Sequence, residues 1–111
     1  MTVLLNILTV EPSNQRRLLQ MLRAKNDTVI GTLDGWISTT LIASADGKCV
    51  VIHSQWRDAA ALAVMRSDPR MVAYFPKLAA LASFDSIKPR SLTRPRLDRL
   101  LGKGTLIVLA S

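Results

Sequence analysis

The chain has 111 residues, of which 49% are hydrophobic and 21% charged, a composition typical of one globular domain with a modest core. Its longest apolar run, Ala59 to Met65, is far shorter than the roughly 20 residues needed to cross a bilayer, so we expect no membrane-spanning segment. Of the net charge of +7, +5 lies in residues 87–111, and the charges of the first 86 residues are nearly balanced.

The amino-terminal third predicts a strand followed by a helix. Side chains alternate along Thr2 to Val10 in a pattern typical of a strand, and Asn6 is the strongly polar residue in its middle. Pro12 ends this strand and suits the first turn of a helix. The helix has an irregular turn near Asn26-Asp27 and ends at Asp34-Gly35. Its apolar stripe consists of Leu18, Leu22, Val29 and Leu33.

A β-hairpin is predicted next. Two segments rich in β-branched residues, Trp36 to Ser44 and Lys48 to Trp56, flank Asp46-Gly47, which is a strong hairpin signal. A two-residue turn places the two tryptophans on opposite faces, whereas a three-residue turn ending at Gly47 places Trp36 opposite Trp56. The sequence leaves both registers open. Alternation also places His53 and Trp56 on opposite faces of their strand.

Two aspartates predict the starts of two further helices. The Asp58 carboxylate can accept hydrogen bonds from the first N–H groups of a helix over Ala59 to Arg66. Asp68-Pro69 repeats the signal, because proline suits the first helical position, and a third helix is predicted from Arg70 to about Ser83.

The order of these elements predicts an α+β fold. A final strand completes a ferredoxin-like βαββαβ plait, in which helices cover one face of an antiparallel sheet. Asp85 to Leu92 is its expected place, but Thr105 to Ala110 has the better strand composition. We therefore expect a domain over residues 1–90 and a basic extension over 91–111. The extension would hold a short helix at Arg96 to Leu101 and a strand at 105–110, which pairs in its own chain or in a second subunit.

Two inferences concern partners. The first and third strands are apolar on both faces, which predicts a homodimer that buries the face without helices. The basic tail lacks interleaved aromatic residues and contains Leu92, Leu97, Leu100 and Leu101. We interpret it as a solvated connector with some apolar docking and expect no nucleic-acid partner.

Three side chains are candidates for a ligand site. Trp56 is either a plug of the core or a pocket wall whose indole N–H donates to a ligand. Asn6 either bonds to the backbone or donates to a ligand oxygen, and Tyr74 can reach the same space. We interpret His53 and Cys49 as structural, and with one residue of each type the sequence predicts no metal site. The amino terminus carries no basic signal-peptide region, so the cytoplasm is the expected compartment.

A series of fragments, in order and with few gaps from residue 2 to about 87, resembles the antibiotic biosynthesis monooxygenase family. The resemblance implies a dimeric ferredoxin-like α/β-barrel that oxidises aromatic polyketide-type phenols to quinones with molecular oxygen and without metal or flavin. The fragments are Asn6 to Pro12, Asn14-Gln15, Asp34 to Ser38, Ser44 to Gly47, Val50 to Ile52, Ser54 to Arg57 and Asp68-Pro69.

The chain departs from the family's pattern at several site positions. Quinone-forming members carry a histidine and an asparagine on the central hairpin, where this chain has Ile42 and Ile52. Their helix tyrosine and arginine are replaced by Leu62 and Pro76, and only Trp56 carries over. Related haem-degrading members use a first-strand asparagine, which Asn6 matches, and a helix histidine, where Tyr74 stands. Haem degradation is therefore not expected.

The resulting hypothesis is a cofactor-independent monooxygenase acting on a small aromatic substrate. Trp56 and Asn6 are its predicted catalytic donors, and Tyr74 is predicted to relay a proton. The predicted substrate contacts are Leu4, Ile52, Leu62 and Tyr74. The alternative is a non-enzymatic dimeric module that binds a small aromatic or supports an assembly.

Overall fold

A five-stranded antiparallel sheet carries the helices of the described chain on one face. The computed structural model describes the backbone of residues 1–86 and 106–110 and the side chains of residues 1–84. The elements are β1 (Thr2–Val10), α1 (Gln15–Thr28), β2 (Trp36–Ala43), β3 (Cys49–Trp56), α2 (Ala59–Ser67), α3 (Pro69–Ala79), β4 (Ala82–Ser86) and β5 (Leu106–Ala110), with 3-10 turns at Pro12–Asn14 and Ile30–Thr32.

The strand order is β4-β1-β3-β2-β5. The first four strands and their helices form the βαββαβ plait, so the predicted ferredoxin-like fold is confirmed. Residues that lie opposite each other in this sheet point to the same face. Two rows on the helix-facing side cross β1, β3 and β2, and they consist of Leu4, Ser54 and Thr39, and of Asn6, Ile52 and Leu41.

A β-bulge decides where the two tryptophans lie. Along most of the hairpin the register is that of the two-residue turn, with Ala43 opposite Val50. The register shifts by one residue between Trp36 and Ser38, and Trp36 then lies opposite Trp56. One strand of the pair therefore has an extra residue, Ile37, whose side chain is 47% exposed. The bulge therefore gives the pairing of Trp36 with Trp56 that a three-residue turn predicts, although the rest of the hairpin has the register of the two-residue turn.

The predicted caps of α2 and α3 are confirmed. An Asp58 carboxylate oxygen accepts a hydrogen bond from the Ala61 N–H at 2.8 Å. Asp68 accepts one from the Arg70 N–H, also at 2.8 Å, and Pro69 is the first residue of α3. The irregular turn predicted near Asn26-Asp27 falls at Val29, where α1 ends and a 3-10 turn begins, so α1 ends earlier than the predicted Asp34-Gly35.

The carboxy-terminal boundaries differ from the predictions. Helix α3 ends at Ala79 instead of near Ser83, because Ala82–Ser86 pairs with the edge of β1 as strand β4. The strand expected at Asp85 to Leu92 therefore begins earlier, and residues 87–92 lie outside the described residues. The terminal segment forms β5, which pairs with β2 of its own chain. The predicted helix at Arg96 to Leu101 and the boundary at residue 90 also lie outside the described residues.

The sheet has an apolar cluster on each face. Between the sheet and the helices, the fully buried side chains include Leu8, Leu18, Leu41 and Met71. On the opposite face Leu5, Ile7, Cys49 and Val51 form a second cluster that is already buried within a single chain. These four side chains therefore do not by themselves require a second subunit. No helix in the described residues is long and apolar enough to cross a membrane.

The caps make folding stability depend on pH. The backbone N–H of Ala61 lowers the pKa of Asp58, and the Arg70 side chain together with its N–H lowers that of Asp68, both from the usual 3.8. Because the folded-state pKa lies below the unfolded one, this stabilisation is complete above the unfolded pKa and is lost as pH falls through the folded pKa. We expect the double variant Asp58→Asn, Asp68→Asn to keep its caps and to lose less stability in acid than the wild type. Urea unfolding at a series of pH values measures this, and parallel acid profiles would contradict it.

Candidate functional site

A cavity of about 710 Å³ lies between the helix-facing side of the sheet and helices α1 and α3. This volume is in the range of pockets that hold small organic ligands. Its floor includes Leu4 and Asn6 of β1 and Ile52 and Trp56 of β3. The cavity is lined mainly by apolar side chains, so the few polar groups in its wall decide how a ligand can be oriented.

The structure brings five of the six predicted site residues to this one cavity. Leu4, Asn6, Ile52, Trp56 and Tyr74 all line it. Leu62 does not, and it packs in the core with 7% of its surface exposed. On α2 it is the last turn, with Met65 and Arg66, that reaches the cavity. We therefore do not retain Leu62 as a substrate contact.

Trp56 lines the cavity, but its indole N–H is already engaged. Nε1 donates to the Ser54 hydroxyl oxygen at 3.1 Å, and the whole Trp56 side chain is buried. An indole has a single N–H donor. The prediction that Trp56 itself donates to a ligand is therefore not supported by its geometry, whereas its place as an aromatic wall is.

The second tryptophan begins a chain of hydrogen bonds that sequence reasoning missed. Trp36 Nε1 donates to Thr39 Oγ1 at 2.9 Å, and Thr39 Oγ1 donates to Asn26 Oδ1 at 2.7 Å. Thr39 and Asn26 line the cavity and are buried. The signal for Asn26 was present, because it follows Leu22 by four residues on the apolar stripe of the helix. A polar residue at such a position needs a buried partner.

The loop before β2 fixes the position of Trp36. Gly35 has a φ of 88°, a conformation that strains any residue with a Cβ atom. Its carbonyl oxygen accepts a hydrogen bond from the Arg57 N–H at 2.7 Å, and a Cβ atom here would collide with Ala61 of α2. The chain thus passes close against α2 directly before it enters the bulge.

Tyr74 supplies a buried hydroxyl that has no hydrogen-bond partner among the described residues. It lines the cavity with 6% of its surface exposed, and its oxygen makes no hydrogen bond to any described residue. Burial raises the pKa of Tyr74 far above its usual value of 10, so the phenol keeps its proton at neutral pH. Lys25 Nζ lies 4.9 Å from the centre of its ring. Tyr74 is thus suited to donate a hydrogen bond, and a relay through its ionised form is disfavoured.

One cationic side chain is part of the cavity wall formed by the described residues. Arg66 is the charged residue among the described residues that line it, and neither a carboxylate nor a histidine of residues 1–84 does so. A ligand oxygen that carries negative charge therefore meets donors and a cation without a repelling carboxylate. The Arg66 charge favours an anionic aromatic, whereas burial in the apolar wall favours its neutral acid, as it does for Tyr74.

His53 and Cys49 lie away from the cavity, as alternation predicts. His53 is opposite Leu5 and Thr40 on the other face of the sheet. Burial raises the pKa of the Cys49 thiol, which disfavours the reactive thiolate. In the part of the chain whose side chains are described, no three residues of the His, Cys, Asp and Glu types come together as metal ligands.

Comparison with known proteins gives the family. The model of the family described as antibiotic biosynthesis monooxygenase matches residues 1–77, well over half of the chain. The chain belongs to the antibiotic biosynthesis monooxygenase family. The matched region includes every residue of the cavity discussed above.

Three proteins that are similar to this antibiotic biosynthesis monooxygenase family member come from streptomycetes. Tetracenomycin-F1 monooxygenase of Streptomyces glaucescens is 36% identical over 72 residues, which are 65% of this chain and 64% of that protein. The match thus spans somewhat less than two thirds of the relative. The ActVA-Orf6 monooxygenase of Streptomyces coelicolor, solved with the ligand nanaomycin D, superposes with a TM-score of 0.65 at 27% identity and covers 82% of this chain and 90% of that one. SnoaB of Streptomyces nogalater, a cofactor-independent oxygenase, has a TM-score of 0.63 at 20% identity, covers 84% and 95%, and shares the fold.

The unpartnered hydroxyl predicts an unusual effect on stability. We expect Tyr74→Phe to raise the free energy of unfolding of the ligand-free protein by about 1 kcal/mol, because a buried hydroxyl without a partner costs roughly 1–3 kcal/mol. Tyr74→Leu removes the ring as well and serves as the contrast, with an expected loss of stability. Urea unfolding of both variants measures these changes. A Tyr74→Phe variant less stable than the wild type would show that the hydroxyl has a partner in the folded protein.

Proposed function

We propose that the protein is a cofactor-independent monooxygenase that oxidises a small phenolic or polyketide-type aromatic to a quinone with molecular oxygen. The observation that carries this proposal is the largely apolar cavity whose wall contains the buried hydroxyl of Tyr74, which bonds to no residue in the described part of the chain. The activity named for tetracenomycin-F1 monooxygenase and the nanaomycin D bound to ActVA-Orf6 support an aromatic polyketide as substrate.

In the proposed reaction the electron-rich anion of the substrate, and not a cofactor, gives the first electron to oxygen. Triplet oxygen reacts slowly with closed-shell molecules, but a phenolate can give one electron directly to oxygen. The radical pair then combines to form a carbon–oxygen bond. Loss of the C–H proton and cleavage of the O–O bond give the quinone carbonyl, and the second oxygen atom leaves as water. A protein that binds the phenolate and excludes water accelerates the first step.

The residues of the cavity supply these conditions in the proposed mechanism. Tyr74 and Asn6 donate hydrogen bonds to substrate oxygens, and Tyr74 keeps its proton because burial raises its pKa. Leu4, Ile52 and Trp56 form the apolar walls that exclude water from the ring. Since no carboxylate or histidine of the described residues lines the cavity, the substrate enters already ionised. Turnover is therefore expected to be faster for a more acidic phenol and at higher pH.

We also propose that the protein is a homodimer, with the helix-free face of the sheet as its interface. The four buried side chains of this face are shielded within one chain, but Val3, Thr40, Ile42 and His53 remain partly exposed around them. A partly exposed rim of mixed apolar and polar side chains around a buried centre is suited to a second copy of the same surface. The resemblance to dimeric family members agrees with this arrangement.

The expected compartment remains the cytoplasm.

Oxygen uptake by metal-free protein tests the proposed activity. With a panel of dihydroxynaphthalenes and anthrones, we expect one oxygen molecule consumed per molecule of quinone, with a rate that rises with pH as the substrate ionises. Tyr74→Phe and Asn6→Ala should each lower kcat/KM by about tenfold or more, because each removes a donor to developing negative charge. Val64→Ala, at an exposed position of α2, is the matched control and should keep the wild-type rate.

Two results would decide against this proposal. Tight binding of the same aromatics without oxygen consumption would leave the non-enzymatic binding module as the function. Turnover that is unchanged in both Tyr74→Phe and Asn6→Ala would place the reaction away from this cavity.

Sedimentation velocity tests the proposed dimer. We expect the wild type to sediment as a dimer at micromolar concentration and Thr40→Lys to sediment as a monomer, because the variant buries a lysine charge against its own copy. Ile37→Lys, at the exposed bulge, is the control and should remain dimeric. A monomeric wild type would contradict the proposal.

A further inference from the structure

Ser54 lies in the cavity wall, and neither the family resemblance nor the sequence pattern gives it a role in ligand binding. It lies on β3 two residues before Trp56, so both side chains point to the helix-facing side. Ser54 lines the cavity and is 3% exposed. Its hydroxyl oxygen accepts the hydrogen bond from Trp56 Nε1 at 3.1 Å.

This hydrogen bond leaves the Ser54 hydroxyl with its own hydrogen still to donate. A serine hydroxyl has one donor hydrogen and two acceptor lone pairs, and one lone pair faces the indole N–H. Among the described residues, no hydrogen bond donated by Ser54 is formed. The indole therefore fixes how the oxygen is oriented, and the hydrogen is directed away from Trp56.

The neighbouring pair of Trp36 and Thr39 shows where the hydrogen of such a hydroxyl can be donated. Trp36 lies opposite Trp56, and Thr39 lies opposite Ser54, so two tryptophan–hydroxyl pairs stand side by side on β2 and β3. In the first pair the Thr39 hydroxyl donates onward to the Asn26 amide oxygen. In the second pair no described side chain takes the place of Asn26.

We propose that a substrate oxygen takes this place, so that Ser54 donates a hydrogen bond to the ligand and Trp56 is a positioning residue that acts through Ser54. The inference rests on the proposed function, and it adds a specific contact to it. The ligand oxygen is a phenolate or quinone oxygen at the Trp56 end of the cavity. The indole N–H polarises the serine hydroxyl, which strengthens its bond to a negatively charged oxygen.

Binding of a coloured phenol tests this contact without requiring turnover. The dihydroxyanthraquinone alizarin changes its absorption when it ionises, so its pKa can be read while it is bound to the protein. We expect Ser54→Ala to raise the bound pKa by about one unit, because loss of a donor to the phenolate favours the neutral phenol. Ser54→Thr keeps a hydroxyl and should restore most of the shift. Val64→Ala is again the external control.

A double-variant cycle separates positioning from direct contact. Trp56→Phe alone should raise the bound pKa by a smaller amount than Ser54→Ala. Combined with Ser54→Ala it should add nothing, because its effect passes through the serine. Equal and additive shifts from the two substitutions would overturn the relay, and an unchanged pKa in Ser54→Ala would overturn the contact itself.

The same titration keeps this inference apart from the proposed activity. The predicted pKa shifts in a protein that consumes no oxygen would sustain the Ser54 contact and contradict only the monooxygenase. A wild-type protein that binds no alizarin would overturn the contact. Oxygen uptake with dihydroxynaphthalenes or anthrones would then still support the proposed monooxygenase activity.

Discussion

The alternation of side chains along β1 and β3 is the constraint on which the site depends. It places Asn6, Ser54 and Trp56 toward the helices, and it places His53 and Cys49 on the other face. A shift of one residue would exchange the two sets. With the histidine and the thiol on the far side of the sheet, the described part of the cavity offers hydrogen-bond donors and a cation but no ordinary base. The proposed chemistry is therefore that of stabilising an anion that forms elsewhere.

The lining of the cavity also differs from the family's site pattern in where its polar groups lie. Ile52 and Pro76 line the cavity where the resemblance expects polar residues, and Ile42 packs on the opposite face of the sheet. The loss of polar groups at these positions is accompanied by polar groups at others, namely Tyr74, Ser54 and Asn26. An apolar cavity with a few oriented donors strengthens each hydrogen bond to a charged oxygen, because there is little water to screen it. The proposed binding of a phenolate is thus compatible with the departures from the family's pattern.

The parts of the fold that were predictable are those with local causes. Strand β1 was predicted with its observed bounds because its apolar segment is ended by Glu11-Pro12, and the caps at Asp58 and Asp68 follow from a carboxylate next to exposed N–H groups. Strand β4 was placed too late because its formation depends on the free edge of β1, which the alanine-rich sequence around it does not reveal. The bulge at Ile37 had no local signal. The contact between Asn26 and Thr39 joins residues from α1 and β2, so only the assembled fold brings it about.

The origin of the oxygen atom in the product tests the central claim most directly. Metal-free protein would be supplied with an acidic phenolic substrate under isotopically labelled oxygen gas, and the quinone would be analysed by mass spectrometry. We expect each quinone molecule to gain one labelled oxygen atom and the other labelled atom to appear in water. A quinone whose new oxygen comes from the solvent, or formation of product at the same rate without protein, would contradict it.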